Sequence, residues 1–278
     1  MAEYPSLSGS VSRPPGPALA PFVDVLWASD GAEPPGGCRR ELMLPAESLH
    51  LVLRLGDAPL RIFRDPADDA GFTVSTAVVG GLRTGPYLRD VSRQLPSVGA
   101  MLRPGAAGLL LGAPAAAFSG AHTPLADVWG DSALDRLRDR LSGAASLARR
   151  LDLFEEALAA RLPNLRHIDP RIAQALGDFA VARPVGEVVR RLDTSHRHFT
   201  RLFRDAVGLS PKAWCRLARF GRVLDRLGAE PGIGWAELAA AEGYADQAHL
   251  SREFRAFAGL SPADYRRRAP WSPRHVPL

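Results

Sequence analysis

The first part of the chain alternates short apolar runs with turn residues. Runs rich in β-branched and aliphatic residues occupy positions 49–55, 60–64, 72–79 and 97–102. Glycines, prolines and the acidic stretch DPADDAG separate them. Short strands joined by turns, without intervening helices, are typical of antiparallel β-structure. The pattern therefore predicts a small antiparallel sheet or barrel between about 42 and 101.

The apolar residues change to helical spacing after Pro104. The segment 106–112 (AAGLLLG) predicts a short helix, and apolar residues three and four apart predict longer helices over 131–141 and 146–162. These stripes are Leu134, Leu137 and Leu141, then Leu147, Leu151, Phe154, Leu158 and Leu162. Two interpretations stay open: the stripes pack on the sheet of the same chain, or they form the seam of a homodimer through 131–162.

Helix-breaking residues divide the chain. PNLRHIDP (163–170) predicts a linker, because Pro163, Asn164 and Pro170 interrupt helices, and Asp169 with Pro170 suits the start of the next helix. The Pro-, Ser- and Gly-rich start predicts a flexible arm and lacks the basic and apolar regions of a secretory signal. We expect an α+β protein with an arm (1–20), a β-rich domain ending in helices (21–166) and an all-α domain (167–278).

A near-exact repeat lies in the last third. Residues 198–211 (HFTRLFRDAVGLSP) recur 51 positions later as 249–262 (HLSREFRAFAGLSP). In each copy, apolar residues share one helical face and polar or basic residues the opposite face. Gly208 and Gly259 suit the left-handed position that ends a helix, and Ser-Pro then starts another. Each copy predicts an exposed basic helix that stops at glycine.

Short predicted helices precede both copies, in PVGEVVRRLDTS and GWAELAAAEGYAD. A helix, a tight turn and a second helix with polar groups outward form a helix-turn-helix unit. We expect one unit over 184–209 and another over 234–260. PKAWCRLARFGRVLDRLG between them predicts a longer connecting helix of four to five turns.

The stretch GWAELAAAEGYADQAHLSREFRAFAGLSPADYRR (234–267) resembles the signature of the AraC/XylS transcriptional regulators, and the resemblance covers roughly 170–268. The first unit departs from it, with Val188-Val189 where Leu-Ala is usual and Asp193-Thr194 in place of a glycine-containing turn. The resemblance implies recognition helices near 195–207 and 246–258 that enter two successive major-groove segments. A rigid connecting helix can hold two such helices about one DNA turn, ~34 Å, apart.

The resemblance also assigns candidate DNA contacts. The candidate base-reading residues are His196, Arg197, Thr200, Arg201, Gln247, His249, Ser251 and Arg252. Arginine can bond guanine twice and glutamine suits adenine, whereas Ala248 offers thymine only a methyl group. The candidate phosphate contacts are Arg204, Lys212, Arg255, Arg266, Arg267 and Arg268.

Structural alternatives to these assignments stay open. His198 and His249 occupy one column of the repeat beside the apolar face, where each could make a structural hydrogen bond instead. Arg201 and Arg252 could pair with neighbouring acids such as Asp205 or Glu253. The arginine run before the C-terminus could be a solvated end.

Charge is distributed unevenly between the two parts. Residues 1–166 carry 17 basic and 18 acidic residues, a net of −1, whereas 167–278 carry 18 and 12, a net of +6. A basic domain beside a neutral one favours double-stranded DNA as the partner of the former. Because Lys212 is the only lysine, composition bias is an alternative source of the arginines.

Motifs for catalysis are missing from the sequence. No nucleophile elbow, phosphate loop or HExxH occurs, and GGLRTG reads as a turn rather than a dinucleotide fingerprint. His50 and His122 are too separated to predict a metal site, and Cys38 and Cys215 form no CxxC pair. No apolar run reaches 18 residues. We expect a cytoplasmic protein that is not an enzyme and carries no cofactor or metal.

The front domain gives weaker signals. RTGPYLRDV, LRPGAAGLLLGAP and PAESLHLVLRLG resemble an uncharacterised sensor-like domain that precedes this DNA-binding module in some family members. We expect a sequence-specific transcriptional regulator modulated by this domain, with a possible small-molecule effector whose binding residues the sequence does not identify. Two alternatives are a bifunctional protein with a catalytic front barrel, and an architectural DNA-binding protein without an effector.

Overall fold

The N-terminal (front) domain consists of two antiparallel sheets with helices, and the C-terminal (back) domain consists mainly of helices. The computed structural model describes residues 9–31, 37, 39–164, 167–268, 270 and 272–278. Cys38 and the first eight residues of the expected arm lie outside the described residues. In the described part of the chain, no helix is both long enough and apolar enough to cross a membrane.

The strands form two separate sheets rather than one closed barrel in the described part of the chain. The first has the order β1-β2-β9-β4-β7-β10 and the second β11-β3-β8-β5-β6. The strands are β1 (Ser10–Arg13), β2 (Val23–Ser29), β3 (Arg40–Met43), β4 (Leu49–Arg54), β5 (Arg61–Phe63), β6 (Phe72–Thr73), β7 (Ala77–Gly80), β8 (Tyr87–Asp90), β9 (Ser97–Leu102), β10 (His122–Pro124) and β11 (His275–Pro277).

Strand β4 shows how the first sheet separates two environments. Its leucines, Leu49, Leu51 and Leu53, are buried in the main core, while His50, Val52 and Arg54 alternate with them and face the second sheet. Strict alternation places successive side chains on opposite faces of a strand. One face of the sheet therefore supports the helices, and the other lines the space between the sheets.

Helices α1 to α4 and a short 3₁₀ helix (Ala115–Phe118) lie beside the sheets in the described part of this domain. The helices are α1 (Ala107–Leu111), α2 (Ala126–Trp129), α3 (Asp131–Ser142) and α4 (Leu147–Ala159). The predicted stripes on α3 and α4 are buried in the core of the same chain, and Leu147 and Leu162 pack against it. Of the two open interpretations, this burial supports intramolecular packing of the stripes, and a homodimer through 131–162 stays a prediction.

The described part of the expected arm is ordered. Strand β1 pairs with β2, and Arg13 bonds Asp152 at 2.8 Å and Glu155 at 2.5 Å on α4. Leu19 is fully buried. The prediction of a flexible arm over 1–20 is wrong for 9–20, because strand pairing and two ion pairs fix a segment whose composition favours loops.

The back domain consists of α5 (Pro170–Ala180), α6 (Val185–Arg191), α7 (His196–Val207), α8 (Pro211–Ala229), α9 (Trp235–Ala241), α10 (Gln247–Ala258) and α11 (Pro262–Arg267). The chain then returns to the front, where β11 pairs antiparallel with β3 and places His275 opposite Met43. The expected domain 167–278 is therefore too long at its end, since His275–Pro277 form a strand of the second sheet. Cys215, on α8, is half-buried, and burial raises the pKa of its thiol to about 11.

Candidate nucleic-acid interface

Two helix-turn-helix units, α6–α7 and α9–α10, occupy the predicted positions. Helix α7 begins after Ser195, whose hydroxyl accepts a hydrogen bond from the His198 N–H at 3.2 Å, and α10 begins after Asp246 in the same way. Both helices end at a left-handed glycine, Gly208 at φ 100° and Gly259 at φ 67°. Matching start and stop signals thus produce two helices of 12 residues each.

Helix α8 joins the two units through aromatic packing. Its 19 residues give a length of about 28 Å at 1.5 Å per residue. Trp214 packs on Phe203 of α7 with ring centroids 6.4 Å apart, and Phe220 packs on Phe254 of α10 at 5.3 Å. Because these rings are buried, α8 fixes the relative orientation of α7 and α10.

The two tight turns differ where the sequence predicted a departure. Gly243 has φ 71°, and Asp193 occupies the corresponding place with φ 45°. The N–H groups of the following residues bond equivalent carbonyls, Thr194 to Val189 at 3.5 Å and Tyr244 to Ala239 at 2.9 Å. The first unit therefore keeps the fold of the second with a non-glycine residue in the left-handed region, where aspartate is among the better tolerated residues.

The candidate base-reading residues lie at or near the surface of α7 and α10. On α7, His196, Arg197 and Arg201 are exposed and Thr200 is half-exposed. On α10, Gln247, Ala248 and Arg252 are exposed, and His249 and Ser251 are half-exposed. The structure thus brings each predicted set together on one helix, opposite the buried aromatic face.

The arginines on these surfaces have no carboxylate partner in the described part of the chain. Arg201 and Arg252 form no ion pair with Asp205 or Glu253. Glu253 is buried and instead accepts a hydrogen bond from Arg216 of α8 at 2.5 Å. The ion-pair alternative for the two predicted readers is therefore not what the structure contains.

The two histidines in the repeated column have different surroundings. His249 accepts a hydrogen bond from the Ala245 N–H at 3.4 Å through Nδ1, and its ring lies edge-on to Tyr244 at 5.2 Å. His198 has an exposed side chain, and its backbone N–H donates to the Ser195 hydroxyl that caps α7. The structural alternative thus has direct support at His249.

The predicted phosphate contacts separate into two groups. Arg204, Lys212 and Arg255 are exposed. Arg266 is instead half-buried, lies over the Trp235 ring at 3.8 Å and donates to the Ile233 carbonyl at 2.7 Å. Its stacking and hydrogen bond commit the guanidinium to packing, so the phosphate assignment is not retained for it.

The other two arginines of the run stay at the surface but have partners. Arg267 is exposed and ion-pairs with Asp264, three residues earlier on α11. Arg268 is exposed and donates to the Pro277 carbonyl of β11 at 3.3 Å. Both remain predictions as phosphate contacts.

Three arginines on α8 bond residues of the second helix-turn-helix unit, a role that the sequence patterns did not predict. Arg216 bonds Glu253, Arg219 donates to the Gly243 carbonyl at 3.1 Å, and Arg222 bonds Glu242 at 3.0 Å. Their spacing of three places them on one helical face. The available signal was this basic row on α8, but its acidic partners are 20 and 37 residues away in sequence.

The arrangement defines a DNA-binding module. Two capped helices present exposed guanidiniums to solvent, and a buried aromatic core fixes both helices to one connecting helix. Guanidiniums on a helix that fits the major groove can bond base edges and phosphates.

Comparisons with known proteins agree with this class. A family model described as a helix-turn-helix domain matches residues 188–268, and a model described as a domain of unknown function (DUF6597) matches 12–124. No curated protein matches the chain. The C-terminal part of the chain is an AraC-type helix-turn-helix domain, and a DUF6597 domain precedes it. The chain is accordingly a DNA-binding transcriptional regulator.

Three of the solved structures that match the chain come from two bacteria. The C-terminal domain of AraT, a response regulator from Geobacillus stearothermophilus, is 21% identical over 37% of this chain and 88% of that chain, with a TM-score of 0.34. An apo variant of ToxT from Vibrio cholerae is 9% identical over 94% and 97%, with a TM-score of 0.44. Wild-type ToxT bound to an unsaturated fatty acid is 8% identical over 95% and 97%, with a TM-score of 0.40.

Proposed function

We propose that α7 and α10 read two successive major-groove segments of one operator and that the front domain modulates this binding. The observation that supports the proposal is the exposure of the arginines on both recognition helices. Arg197, Arg201 and Arg204 on α7, and Arg252 and Arg255 on α10, are exposed and without an ion-pair partner among the described residues. A polyanion supplies the counter-charges that the chain itself does not.

The differences between the two copies support unlike base preferences. At matched positions of the repeat, Arg197 of α7 corresponds to Ala248 of α10, and Thr200 corresponds to Ser251. Arginine can bond guanine twice, whereas alanine offers only a methyl contact. The first segment of the operator is therefore proposed to be more guanine-dependent than the second at this position.

Modulation is supported by contacts between the front domain and the ends of both recognition helices. The Ser119 hydroxyl donates to the carbonyl of Gly208, which ends α7. Gly259, which ends α10, faces Pro86, since a Cβ built on the glycine would lie 3.4 Å from the proline ring. A shift of the front-domain segments that contain Ser119 or Pro86 would therefore change the contacts at the ends of the recognition helices.

The C-terminal strand supplies a third contact. Strand β11 joins the second sheet, and His275 Nδ1 lies 3.2 Å from Glu41 Oε1 of β3. Arg274 bonds Glu47 of the front domain at 2.9 Å and Asp225 of α8 at 3.3 Å. The two domains are thus joined at both recognition helices and at the end of the chain, which gives a physical route for modulation.

Operator selection tests the proposal. The full chain would be presented with random double-stranded DNA, and the selected sites compared with those of Arg201→Ala, Arg252→Ala and the control Arg226→Ala. Arg226 is exposed on α8 and pairs with Glu230 at 3.4 Å. We expect each reader variant to lose about 1–3 kcal/mol of discrimination at its own base pairs. Equal weakening of specific and random DNA in both variants would contradict base reading.

A further inference from the structure

A cavity of about 1160 Å³ lies between the two sheets and extends to the helical domain. Its apolar walls include Trp27, Val52 and Met101 of the first sheet. Helix α8, the C-terminal segment and Tyr265 of α11 close the opposite side. A mostly apolar cavity with a few convergent polar groups is the usual form of a small-molecule site.

Two glycines make room for large side chains beside this cavity. A Cβ on Gly80 would lie 2.1 Å from the His50 ring, and a Cβ on Gly99 would lie 2.4 Å from the Trp27 ring. Each ring therefore lies directly on the backbone of a neighbouring strand. The cavity keeps its width because these rings lie against its wall rather than across it.

Most charged groups around the cavity neutralise one another. Arg89 pairs with Glu41 at 2.7 Å, and Arg274 pairs with Glu47 and Asp225. Within the described ranges of the chain, three arginines that line the cavity have no carboxylate partner, namely Arg54, Arg83 and Arg266. Arg83 is half-buried, and a guanidinium without a counter-ion in such a place is costly unless other groups stabilise it.

Neutral groups hold the Arg83 guanidinium in place. It lies 3.1 Å from His122 Nδ1, and it covers the Tyr87 ring at 4.3 Å from the centroid. His122 in turn lies edge-on to Tyr87 at 4.5 Å and to His50 at 5.9 Å. The guanidinium is thus oriented by an imidazole and an aromatic face, neither of which cancels its charge.

The two histidines stay uncharged in this setting. Burial, and then the neighbouring arginines, lower the pKa of His50 to about 4, and burial and His50 lower that of His122 to about 2. Both rings are therefore neutral at physiological pH. This end of the cavity carries one uncompensated positive charge, on Arg83.

Arg54 is a second guanidinium at the cavity, further along β4. It donates to the Arg93 carbonyl at 3.1 Å and has no carboxylate partner in the described segments. Its Cα is four residues from that of His50, or about 13 Å along the strand. The aromatic and imidazole frame surrounds Arg83 and not Arg54.

We propose that Arg83 binds the carboxylate of a small organic monoanion whose apolar body fills the cavity between the sheets. A planar guanidinium matches a carboxylate with two parallel hydrogen bonds. Since Arg54 lies about 13 Å from His50 along the strand, the Arg83 end of the cavity offers a single guanidinium, which matches a monoanion better than a dianion. This inference rests on the proposed function in one respect, namely that the bound ligand would change DNA binding. The effect would pass through the segment 83–87, because Pro86 lies beside Gly259 at the end of α10.

Matched probes test the site on the full chain. The melting temperature of the chain and its calorimetric affinity would be measured with four kinds of probe. These are 4-phenylbutyrate, 4-phenylbutyramide, 4-phenylbutyl phosphate and a series of straight-chain monocarboxylates. We expect at least one carboxylate to bind, its amide to bind far more weakly, and Arg83→Met to weaken the carboxylate about 10- to 100-fold. Arg64→Met, at an exposed front-domain position, should leave the affinity unchanged.

Several outcomes would overturn the proposal. It fails if no carboxylate of the series binds, if the amide binds as well as the acid, or if Arg54→Met rather than Arg83→Met abolishes binding. Tighter binding of the phosphate ester would overturn the monoanion assignment. Operator selection by the wild-type chain without ligand separates the two ideas. A wild-type chain that selects no operator contradicts the proposed function, whereas one that selects an operator but binds no carboxylate contradicts only this inference.

Discussion

Replacing Arg216 by methionine should destabilise the second helix-turn-helix unit. Arg216 lies on α8, and its Nε bonds Oε1 of Glu253, which is 8% exposed. The change removes the carboxylate's counter-ion and leaves the carboxylate buried. Methionine retains an apolar stem near the Phe257 ring, which the guanidinium covers at 5.5 Å. The loss of stability would therefore report mainly the unpaired charge.

The size of the effect follows from the exposure of the two groups. Breaking a buried ion pair by removing one partner costs about 3–5 kcal/mol. The Glu253 side chain is 10% exposed and that of Arg216 is 41% exposed, so water solvates part of the pair. We expect a loss of about 2–3 kcal/mol in the free energy of unfolding, below the fully buried case.

A second substitution separates the stranded charge from lost packing. The repeat places Leu202 of α7 in the column of Glu253, so leucine already occupies the equivalent position of the first unit. The double variant Arg216→Met/Glu253→Leu should recover to within about 1 kcal/mol of wild type, because no buried charge remains. Urea denaturation of the full chain, with amide exchange along α10, measures both. A double variant as unstable as the single one would refute the reasoning.

Three further expectations concern the turns of the two units, the DNA phosphate contacts and stability at low pH. Asp193→Gly should stabilise the chain by about 0.5–1 kcal/mol, because glycine adopts the left-handed backbone conformation without strain. Gly243→Ala should destabilise it by a similar amount, and thermal unfolding measures both changes. Arg204→Ala or Arg255→Ala should reduce the salt slope of DNA binding by about 0.9 each, and an unchanged slope would exclude a phosphate contact. Burial alone would raise the pKa of Glu41, but Arg89 and His275 lower it to about 2. The ionised Glu41 therefore contributes about 3 kcal/mol to the free energy of unfolding above pH 4.5, and this contribution is lost as the pH falls towards 2. Unfolding of Glu41→Gln across that range should show a flatter pH dependence.

The helical domain was predictable because its signals are local. Ser195 caps α7, Gly208 and Gly259 end the recognition helices, and Ser-Pro starts the next ones, all within a few residues of the ends that they define. The repeat then displays the same signals twice. Strands β4, β5 and β9 were found for the same reason, since alternation and flanking turns are also local.

Features that depend on distant partners could not be predicted from the sequence. Strand β11 is short, and its place beside β3 depends on a pairing partner more than 230 residues earlier. Arg266 lies in a basic run, but its stacking on Trp235 depends on how α11 packs against α9. Arg83 belongs to a predicted turn and to a motif that resembles a sensor-like domain, but its lack of a carboxylate partner among the described residues appears only when the sheets are assembled.

The most direct test of the account is a footprint of the full chain on its selected operator. Guanine N7 methylation protection and hydroxyl-radical cleavage would map the major-groove contacts and the protected backbone. Two recognition helices on one connecting helix predict two protected major-groove clusters on one face, with centres about 10 base pairs apart. Arg201→Ala should lose protection in one cluster and Arg252→Ala in the other. A single protected cluster, weakened alike by both substitutions, would contradict the account.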